Sequence, residues 1–427
     1  MSAVDAAVVT GLGLFSPVGR GADTVFEALC LGKSGIMTVP EGHDLADSIA
    51  FAGLAPDIAA SEVLPPSEGR MVDRFVLMAL AAAGDALADA GLTIGTDVAP
   101  DRVAVVVSSG AGGLTTYEAQ ALARSERGRT AISPFLLPGM LPNMAAARIA
   151  IKYGIEGFSS AIATACTASA HAVAEAYRLI REGEADVVVC GGSESPLNPT
   201  SALAFTHARA LAQDWEDPTA ASRPFDRRRN GFVLAEGAGV LVIERAAHAE
   251  ARRAVGYADL IGWGATTDAF KPTTPRPDGR GAAGAMNKAI ARSGLSPSDV
   301  GYVNAHGTGT KVGDIAEARA IRAVFGAHSP AVSSTKGLTG HLLGGTGALE
   351  AAISALALSA GVLPPTANLD EVDPECELDH VRGAARPAEV TAVMSNSFAF
   401  GGHNVSLLFG PASTSRRRRP VTAGRDD

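Results

Sequence analysis

The chain has 427 residues, of which 47% are hydrophobic and 19% are charged, and its formal net charge is −9. This length predicts two or more structural units, or one large two-part domain with a deep core. The acidic balance argues against a nucleic-acid surface, so no nucleic-acid partner is expected.

The four cysteines, Cys30, Cys166, Cys190 and Cys376, are far apart and have no CxxC spacing. A chain of this size can build its core without disulfides, so we expect reduced thiols and a cytoplasmic protein. The paired ligands of a zinc site are missing, and no catalytic metal is expected. The N-terminus lacks the pattern of a signal peptide, and no apolar run approaches about 18 residues, so no membrane association is expected.

The first half of the chain is predicted to consist of buried strands and helices separated by glycine turns. We predict strands at residues 6–10, 102–108, 161–165, 186–190 and 232–244, and helices at residues 25–31 and 71–90. Gly11 and Gly13 are predicted to form a turn that ends the first strand, and Gly91 is predicted to end the second helix. The glycines at 237 and 239 predict either two strands or one interrupted strand in the last of these segments.

The stretch from Phe158 to Ile180 is predicted to be a buried strand that turns sharply into a buried helix, with Cys166 at or just before the helix N-terminus. Unpaired amide groups and the helix dipole stabilise an anion there. We therefore expect a lowered thiol pKa and a nucleophilic thiolate. The alternative is that Cys166 is a buried packing residue, as many free cysteines are.

A similar order of elements begins again near Tyr257. Strands are predicted at residues 257–262, 300–305, 331–336, 393–397 and 405–409, and helices at residues 282–293 and 348–360. The strand at 300–305 matches that at 102–108, the strand at 331–336 matches that at 161–166, and the last two match the 232–244 pair. We predict an α/β protein with largely parallel sheets and an internal duplication. We expect the halves to be 1–256 and 257–412 with the active site at their junction, and we predict that the Arg-rich segment 413–427 is a disordered tail.

Three short segments of the second half place unusual polar residues beside glycines: residues 304–310, 334–341 and 396–404. His306 and His341 each follow a predicted buried strand, where a neutral imidazole can donate a hydrogen bond to an oxyanion or move a proton. A single histidine in such a place is usually structural, but two at matching positions, with Cys166 in the other half, favour a catalytic site.

Other polar residues lie next to these segments. Lys336 is either a surface lysine or a group that orients a histidine or carboxylate, and Glu350, near a helix N-terminus, would support it. The Gly401-Gly402 pair lets backbone amides point into a cavity, as an oxyanion hole requires. Asp314 and Glu317 follow the 306–310 turn at helical spacing, and either a structural or an active role is open for them.

The motifs TACTAS around Cys166, NAHGTGT around His306, SSTKGLTGH around His341 and NSFAFGGHN around Phe400 resemble those of the 3-oxoacyl-[acyl-carrier-protein] synthases. The likeness is to the elongating branch with a Cys–His–His site, and it covers residues 5–410. It implies a thiolase-like fold, with two similar halves in five layers, αβαβα, and it implies a dimer.

The resemblance also implies a decarboxylative condensation in which Cys166 carries the acyl group. The amides of Cys166 and Phe400 would form the oxyanion hole, His306 and His341 would hold the malonyl thioester, and Lys336 with Glu350 would support them. Phe400 would also act as a gating residue. Thr308 and Thr310 would bind the pantetheine arm, and the remaining substrate-binding candidates are Ala111, Phe398 and Asp314.

No cofactor is implied, because the substrates are carried on an acyl carrier protein. Some relatives hold a structural monovalent cation near the positions of Asn304, Glu350 and Asn396, so such an ion is a further expectation. The expected partners are the carrier protein and a second chain. That chain is either another copy or a homologous chain-length subunit, and residues 133–144 are predicted to be part of the contact.

Ala111 departs from the fatty-acid enzymes, which carry a bulkier aliphatic residue facing the acyl tunnel. A small side chain leaves room for a longer or stiffer chain, which favours a type II polyketide or polyene ketosynthase over a fatty-acid synthase. Two alternatives stay open. One is a thiolase-fold acyltransferase acting on coenzyme A thioesters, although no second cysteine lies near the AFGGHN segment. The other is a non-catalytic chain-length or scaffold subunit, although Cys166 is retained.

Overall fold

The computed structural model of the chain describes residues 6–69 and 72–414, so the arginines of the predicted tail lie outside the described residues. The strands are β1 Ala7–Ser16, β2 Gly19–Arg20, β3 Ile36–Thr38, β4 Phe51–Gly53, β5 Val103–Ser108, β6 Ser159–Ser160, β7 Val187–Glu194, β8 Gly237–Arg245, β9 Ala258–Thr267, β10 Val300–Asn304, β11 Ala331–Ser333, β12 Val362–Leu363, β13 Asp379–His380, β14 Arg386–Pro387, β15 Ala392–Phe398 and β16 His403–Gly410.

The helices alternate with these strands along much of the chain. They are α1 Ala22–Cys30, α2 Ala60–Val63, α3 Arg74–Ala90, α4 Leu114–Arg127, α5 Leu136–Met140, α6 Met144–Tyr153, α7 Ala168–Arg181, α8 Pro199–His207, α9 Ala246–Ala251, α10 Arg280–Ser293, α11 Lys311–Phe325, α12 Lys336–Thr339 and α13 Thr346–Ala360. The ends of α3 and α10 match the prediction, since each is followed by a glycine, Gly91 or Gly294, in the left-handed conformation.

The main sheet is mirrored about the antiparallel pair of β1 and β9, which Ala7, Val8 and Val9 form with residues 258–260. Outward from this pair the order is β8, β7, β5, β6 on one side and β16, β15, β10, β11 on the other. On both sides the first two pairings are antiparallel and the next two are parallel. The duplication is therefore visible in the strand order.

Two sequence expectations about the sheet are wrong in detail. The sheet is mixed rather than largely parallel. Strand β8 is antiparallel to β1, and strand β16 is antiparallel to β9. The segments at 393–397 and 405–409 do not correspond to a pair within 232–244. They form β15 and β16, whose places in the mirrored order match β7 and β8.

The helices complete a five-layer arrangement around this sheet. Helices α7 and α13 pack against each other and against strands of both halves, so they form the central layer. Helices α3 and α6 cover the other face of the first half, and α10 with α11 covers that of the second. The observed layers are therefore αβαβα, the architecture that the sequence motifs predict.

Helix α13 is the core of the molecule, and its Ala- and Leu-rich sequence is buried all round. Within the described residues, the segment Leu343–Ala360 is long and apolar enough to cross a membrane, yet 94% of it is buried inside the protein. Its composition is thus accounted for by packing between the two halves of the sheet.

The glycines of β1 serve packing rather than a turn. The strand continues through Gly11 and Gly13 to Ser16, so the predicted turn is wrong. A Cβ on Gly13 would lie 1.8 Å from the carbonyl oxygen of Ala82 in α3, and one on Gly11 would lie 2.2 Å from that of Ala86. The missing side chains let helix α3 lie directly on the strand.

The segment before the nucleophile is also less regular than predicted. Only Ser159–Ser160 forms a strand, and residues 161–164 are irregular. A short 3₁₀ turn, Ala165–Thr167, then leads into α7. Ala165 has a φ of 50°, an uncommon value for a non-glycine residue, and this sharp turn brings Cys166 to the start of the helix.

Candidate active site

A cavity of about 710 Å³ opens where several strands of both halves end. Its wall is built from segments that follow the carboxyl ends of β5, β7, β10 and β15, together with the turn before α7. Ligand sites of α/β folds favour such edges. The sequence-predicted residues on this wall are Cys166, His306, His341, Phe400, Thr308, Thr310, Ala111, Phe398 and Asp314.

Cys166 is half-buried, and the amides of Phe400 and of Cys166 itself donate toward its sulfur. Burial, together with the nearby Glu194 carboxylate, raises the pKa of the thiol to about 12, although Lys336 and the two amides act in the opposite direction. The predicted lowering of the Cys166 pKa is therefore wrong, because the effect of burial on the thiol outweighs that of the helix terminus. Both amides act on the Cys166 sulfur, so they lie beside the position where an acyl oxyanion would form.

The two histidines lie edge to face, with ring centroids 5.3 Å apart. Burial lowers the pKa of both His306 and His341 well below the ordinary value, and the positive charge of Lys336 lowers each further. Both imidazoles are therefore neutral near pH 7 and can donate hydrogen bonds. His341 Nδ1 lies 3.1 Å from the Thr346 hydroxyl, whereas His306 Nδ1 is buried and has no hydrogen-bond partner among the residues that the structure describes.

Lys336 and Glu350 form a buried ion pair behind the cavity wall. Lys336 Nζ donates to Glu350 Oε1 and to the carbonyl oxygen of His306, both at 2.5 Å. Lys336 is fully buried, so it is not a surface lysine. Burial raises the pKa of Glu350 to about 7 although Lys336 lowers it. Within the described ranges 6–69 and 72–414, the second oxygen, Oε2, has no hydrogen-bond partner. The pair ties α12 and α13 to the His306 backbone.

Two buried carboxylates hold the turn that carries His306. Glu317 accepts from the amides of His306 at 2.9 Å and Gly307 at 2.7 Å. Burial raises its pKa to about 7. These contacts are structural, and they hold the backbone of His306 and Gly307 in place.

Asp314 is held in the same way. It accepts from the amides of Phe225 at 2.7 Å and Gly309 at 3.1 Å, and Arg229 lies 3.4 Å from it. Burial raises its pKa to about 6. Of the two roles left open by the sequence, capping and ion pairing are those that its contacts perform.

The substrate-facing candidates lie around the mouth and floor of the cavity. The hydroxyls of Thr308 and Thr310 are 3.1 Å apart. The ring of Phe398 contacts that of His306, with ring centroids 5.9 Å apart. The ring centroids of Phe400 and Phe205 are 6.3 Å apart. These residues line the same cavity as Cys166.

Glu194 is the site residue that sequence reasoning missed. It lines the cavity at the end of β7, is 1% exposed, and contacts segments of both halves. Burial raises its pKa, while hydrogen bonds from Ser109 and three amides lower it. The available signal was an acidic residue at the end of a buried strand, beside a glycine pair.

A thiol beneath two amides, with two neutral imidazoles and a buried lysine behind them, can take up an acyl group and stabilise an oxyanion. Together with the duplicated αβαβα fold, this site defines an acyl-transferring enzyme of the thiolase-like class. Residues 5–249 match the family described as beta-ketoacyl synthase, N-terminal domain, and residues 257–370 match its C-terminal domain. The chain belongs to the β-ketoacyl synthase family, a family of acyltransferases.

Individual relatives agree with this assignment. The chain is 42% identical over 404 residues to a 3-oxoacyl-[acyl-carrier-protein] synthase 2 of Synechocystis sp., which covers 94% of this chain and 97% of that protein. Among solved structures, the ishigamide ketosynthase/chain length factor superposes with a TM-score of 0.89 at 31% identity, over 96% of this chain and 99% of that one.

A second solved structure is a ketosynthase bound to the hexaketide, in complex with its type II PKS acyl-carrier protein. It has a TM-score of 0.88 at 30% identity, over 95% of this chain and 99% of that one. The relatives thus include both a 3-oxoacyl-[acyl-carrier-protein] synthase and a ketosynthase of a type II PKS.

Proposed function

We propose that this chain is a 3-oxoacyl-[acyl-carrier-protein] synthase that elongates a Cys166-bound acyl chain by decarboxylative condensation with a malonyl group. The observation that carries the proposal is the convergence of Cys166, His306 and His341 on one cavity, with Lys336 behind them. The proposal also divides the chain at residue 256 into a half that supplies the thiol and a half that supplies the histidines and lysine. The mirrored strand order supports this division.

The first step is acyl transfer to sulfur. The Cys166 thiol loses its proton and attacks the thioester carbonyl of an acyl carrier protein, and the pantetheine thiol leaves with a proton. The amides of Cys166 and Phe400 stabilise the oxyanion of the tetrahedral intermediate. Because the pKa of the free thiol is high, the resting enzyme holds it protonated, and the proton is removed only as the substrate binds.

The second step breaks a carbon–carbon bond and forms another. The malonyl thioester loses CO2, and the electron pair of the broken carbon–carbon bond stays on the thioester as an enolate. The enolate oxygen accepts hydrogen bonds from neutral His306 and His341. The enolate carbon attacks the acyl carbonyl, the bond to sulfur breaks, and the released Cys166 thiolate takes up a proton. Lys336 polarises the His306 backbone, and Glu350 holds Lys336 in place.

The remaining residues position the substrate arm. Thr308 and Thr310 would bond to the pantetheine amides at the cavity mouth, and Phe398 with Phe400 would shape the passage beside Cys166. Asp314 would act through the 306–309 turn by holding its backbone. A cytoplasmic location follows from an acyl carrier protein as the substrate.

For the substrate class we propose a long or stiff acyl chain of the type II polyketide or polyene kind. Ala111 on the cavity wall supports this, because a small side chain there enlarges the acyl channel. The polyketide ketosynthases among the solved relatives support it as well. The test is to offer acyl carrier proteins loaded with chains of increasing length. Strict preference for short saturated primers would contradict this assignment.

A second chain is proposed to cover the face around α5. Phe135, Leu137 and Leu141 expose 39%, 60% and 40% of their surfaces within the predicted contact region. Phe158, which precedes the edge strand β6, is also exposed. Exposed apolar side chains and the unpaired edge of a sheet are both features of protein interfaces. The partner is another copy or a homologous chain-length subunit, and the mass of the purified assembly distinguishes the two.

The expected monovalent cation would lie between β10 and α13. Among the described residues, the oxygens Asn304 Oδ1 and Glu350 Oε2 are buried without partners, and oxygen ligands suit such an ion. Asn396 fits less well, since its oxygen already accepts from Ser406 at 2.7 Å. Thermal unfolding in potassium and in tetramethylammonium chloride tests the site. An equal melting temperature in the two salts would argue against it.

The condensing activity is tested by intact-protein mass after mixing with an acyl-loaded carrier protein. We expect one acyl adduct on the wild type, none on Cys166→Ala, and one on the control Cys30→Ala, whose thiol lies away from the cavity. Malonyl carrier protein should then release CO2 and clear the adduct. An adduct that depends on a co-purified homologue would indicate an obligate heterodimer. Absence of any adduct would support the scaffold alternative.

A further inference from the structure

The carboxylate of Glu194, at the end of β7, is fully engaged by hydrogen-bond donors from two separate segments. Oε1 accepts from the Ser109 hydroxyl at 2.6 Å and the Ala111 amide at 3.2 Å. Oε2 accepts from the amides of Gly110 at 2.6 Å and Gly344 at 3.1 Å. Two donors on each oxygen use the acceptor positions of an ionised carboxylate. Within residues 6–69 and 72–414, Glu194 has no ion-pair partner.

The two segments belong to different halves and have different tasks. Residues 109–113 follow β5 and carry the Ala111 wall of the acyl channel. Residues 342–345 follow His341 and lead into α13. In the second segment Leu343 has a φ of 45°, an uncommon conformation that persists only where surrounding contacts hold it. The Gly344–Glu194 hydrogen bond is such a contact.

The backbone segments around Glu194 are too closely packed to admit even one added carbon atom at Gly344 or Gly110. A Cβ on Gly344 would lie 2.3 Å from the Gly110 nitrogen and 2.4 Å from Glu194 Oε2. One on Gly110 would lie 2.8 Å from Oε2 and 3.3 Å from the Cα of Ala165, the residue before the nucleophile. A displacement of one segment is therefore transmitted to the others.

We propose that Glu194 is a positioning residue of the condensing reaction, which fixes the Ala111 wall and the turn after His341 relative to each other across Cys166. The inference rests on the proposed function. One carboxylate would then influence both which acyl chains fit beside Ala111 and where His341 lies relative to the malonyl unit.

The charge of Glu194 has a second, separable effect on the nucleophile. The groups that face Cys166 are Glu194 from β7, Lys336 from α12, and the donors of Phe400 and Cys166, while His306 and His341 are neutral. Burial raises the pKa of Cys166, and the Glu194 charge raises it further. Removing that charge should therefore make the thiol ionise at lower pH.

Two variants separate the reach of the side chain from its charge. Glu194→Asp keeps the charge, but a side chain shorter by one methylene cannot contact both segments. Glu194→Gln keeps the length, but its NH2 group faces amide donors instead of accepting from them. Both would be tested as full chains with any obligate partner, by CO2 release, by acyl-chain preference, and by the pH profile of Cys166 alkylation with iodoacetamide.

We expect condensation about 10²-fold slower in both variants, since misplacement of about 1 Å has effects of that size. We also expect a changed preference among acyl chains. The midpoint of alkylation should fall to lower pH in Glu194→Gln and stay near the wild-type value in Glu194→Asp. A purely structural role would not separate the two profiles.

Folded variants that condense at the wild-type rate with the wild-type acyl preference would overturn the positioning role. Equal alkylation midpoints in the two variants would overturn the charge effect. If neither variant folds, Ser109→Ala removes one of the four donors and retains the charge. It should then slow condensation and alter acyl preference, and no change in either would overturn the inference. A wild type that releases no CO2 would instead contradict the proposed function itself.

Discussion

Glu244 and Glu350 are both buried carboxylates with a cationic partner, yet their surroundings differ. Glu244, at the end of β8 away from the cavity, accepts from Thr10, His248 and Arg252, so both oxygens are engaged. These partners outweigh burial and lower its pKa to about 2. In the part of the chain that the structure describes, the Glu350 carboxylate contacts Lys336 through one oxygen and the other oxygen has no partner, and burial raises the pKa of Glu350 to about 7. The Glu244 carboxylate therefore stabilises the fold. The Glu350 carboxylate lies behind the cavity wall and has fewer hydrogen-bond donors around it.

Lys336→Met should have the largest effect, because it leaves Glu350 without a partner and the His306 backbone without a donor. We expect condensation to fall by about 10²- to 10³-fold, the usual cost of one preorganised donor. Unfolding free energy should also fall by about 3–5 kcal/mol, as for other broken buried ion pairs. Steady-state CO2 release and urea unfolding measure the two losses. Wild-type turnover would show that Lys336 is only structural.

Glu244→Gln should separate stability from activity. The variant removes the charge that Arg252 and His248 share, and we expect a loss of about 3 kcal/mol or more in unfolding free energy. Activity per folded molecule should be unchanged, since Glu244 does not line the cavity. The matched comparison is Glu350→Gln, in which activity should fall as well. Equal activity losses in the two variants would remove the contrast between the sites.

The two carboxylates should affect stability in opposite directions with pH. Glu244 has a folded pKa below its ordinary value of 4.5. Its contribution of about 3 kcal/mol is therefore complete above pH 4.5 and lost as the pH falls toward 2. Urea unfolding of Glu244→Gln should lack this acid-side decline, and a decline as steep as that of the wild type would contradict the assignment.

Glu350 has a folded pKa above its ordinary value of 4.5. The folded state then binds more protons between pH 4.5 and 7, so this group makes the protein less stable as the pH rises through that interval. Glu350→Gln should flatten the slope there. An unchanged slope would mean that Glu350 is fully stabilised as a carboxylate by Lys336.

Ala111→Ile should have the smallest effect on the fold and a selective effect on substrates. The added methylenes occupy the acyl channel, and discrimination of about 10-fold against long chains relative to short ones is expected. Competition between short and long acyl carrier proteins, read by intact mass, measures the ratio. The matched control is Ala123→Ile in α4, away from the cavity wall. The same ratio in Ala111→Ile as in the wild type would contradict the placement of Ala111 in the channel.

The sequence predicts most of the architecture because buried strands and glycine-ended helices, such as the helix ending at Gly91, are local patterns. The turn predicted at Gly11 and Gly13 is wrong because their role depends on α3, which lies far along the chain. The prediction for the Cys166 pKa is wrong for a similar reason. The segments of both halves that bury the thiol cannot be identified from the local sequence at the helix N-terminus. Glu194 was missed because its partners are about 85 and 150 residues away.

The most direct test of the account is His306→Ala, followed through both half-reactions. A neutral imidazole contributes little to the charge at Cys166, so acylation should be retained, while CO2 release from malonyl carrier protein falls by about 10²-fold or more. Intact-protein mass would then show an acyl-Cys166 adduct that accumulates and is not consumed. Loss of acylation together with CO2 release, or undiminished CO2 release, would contradict the division of labour between Cys166 and the histidines.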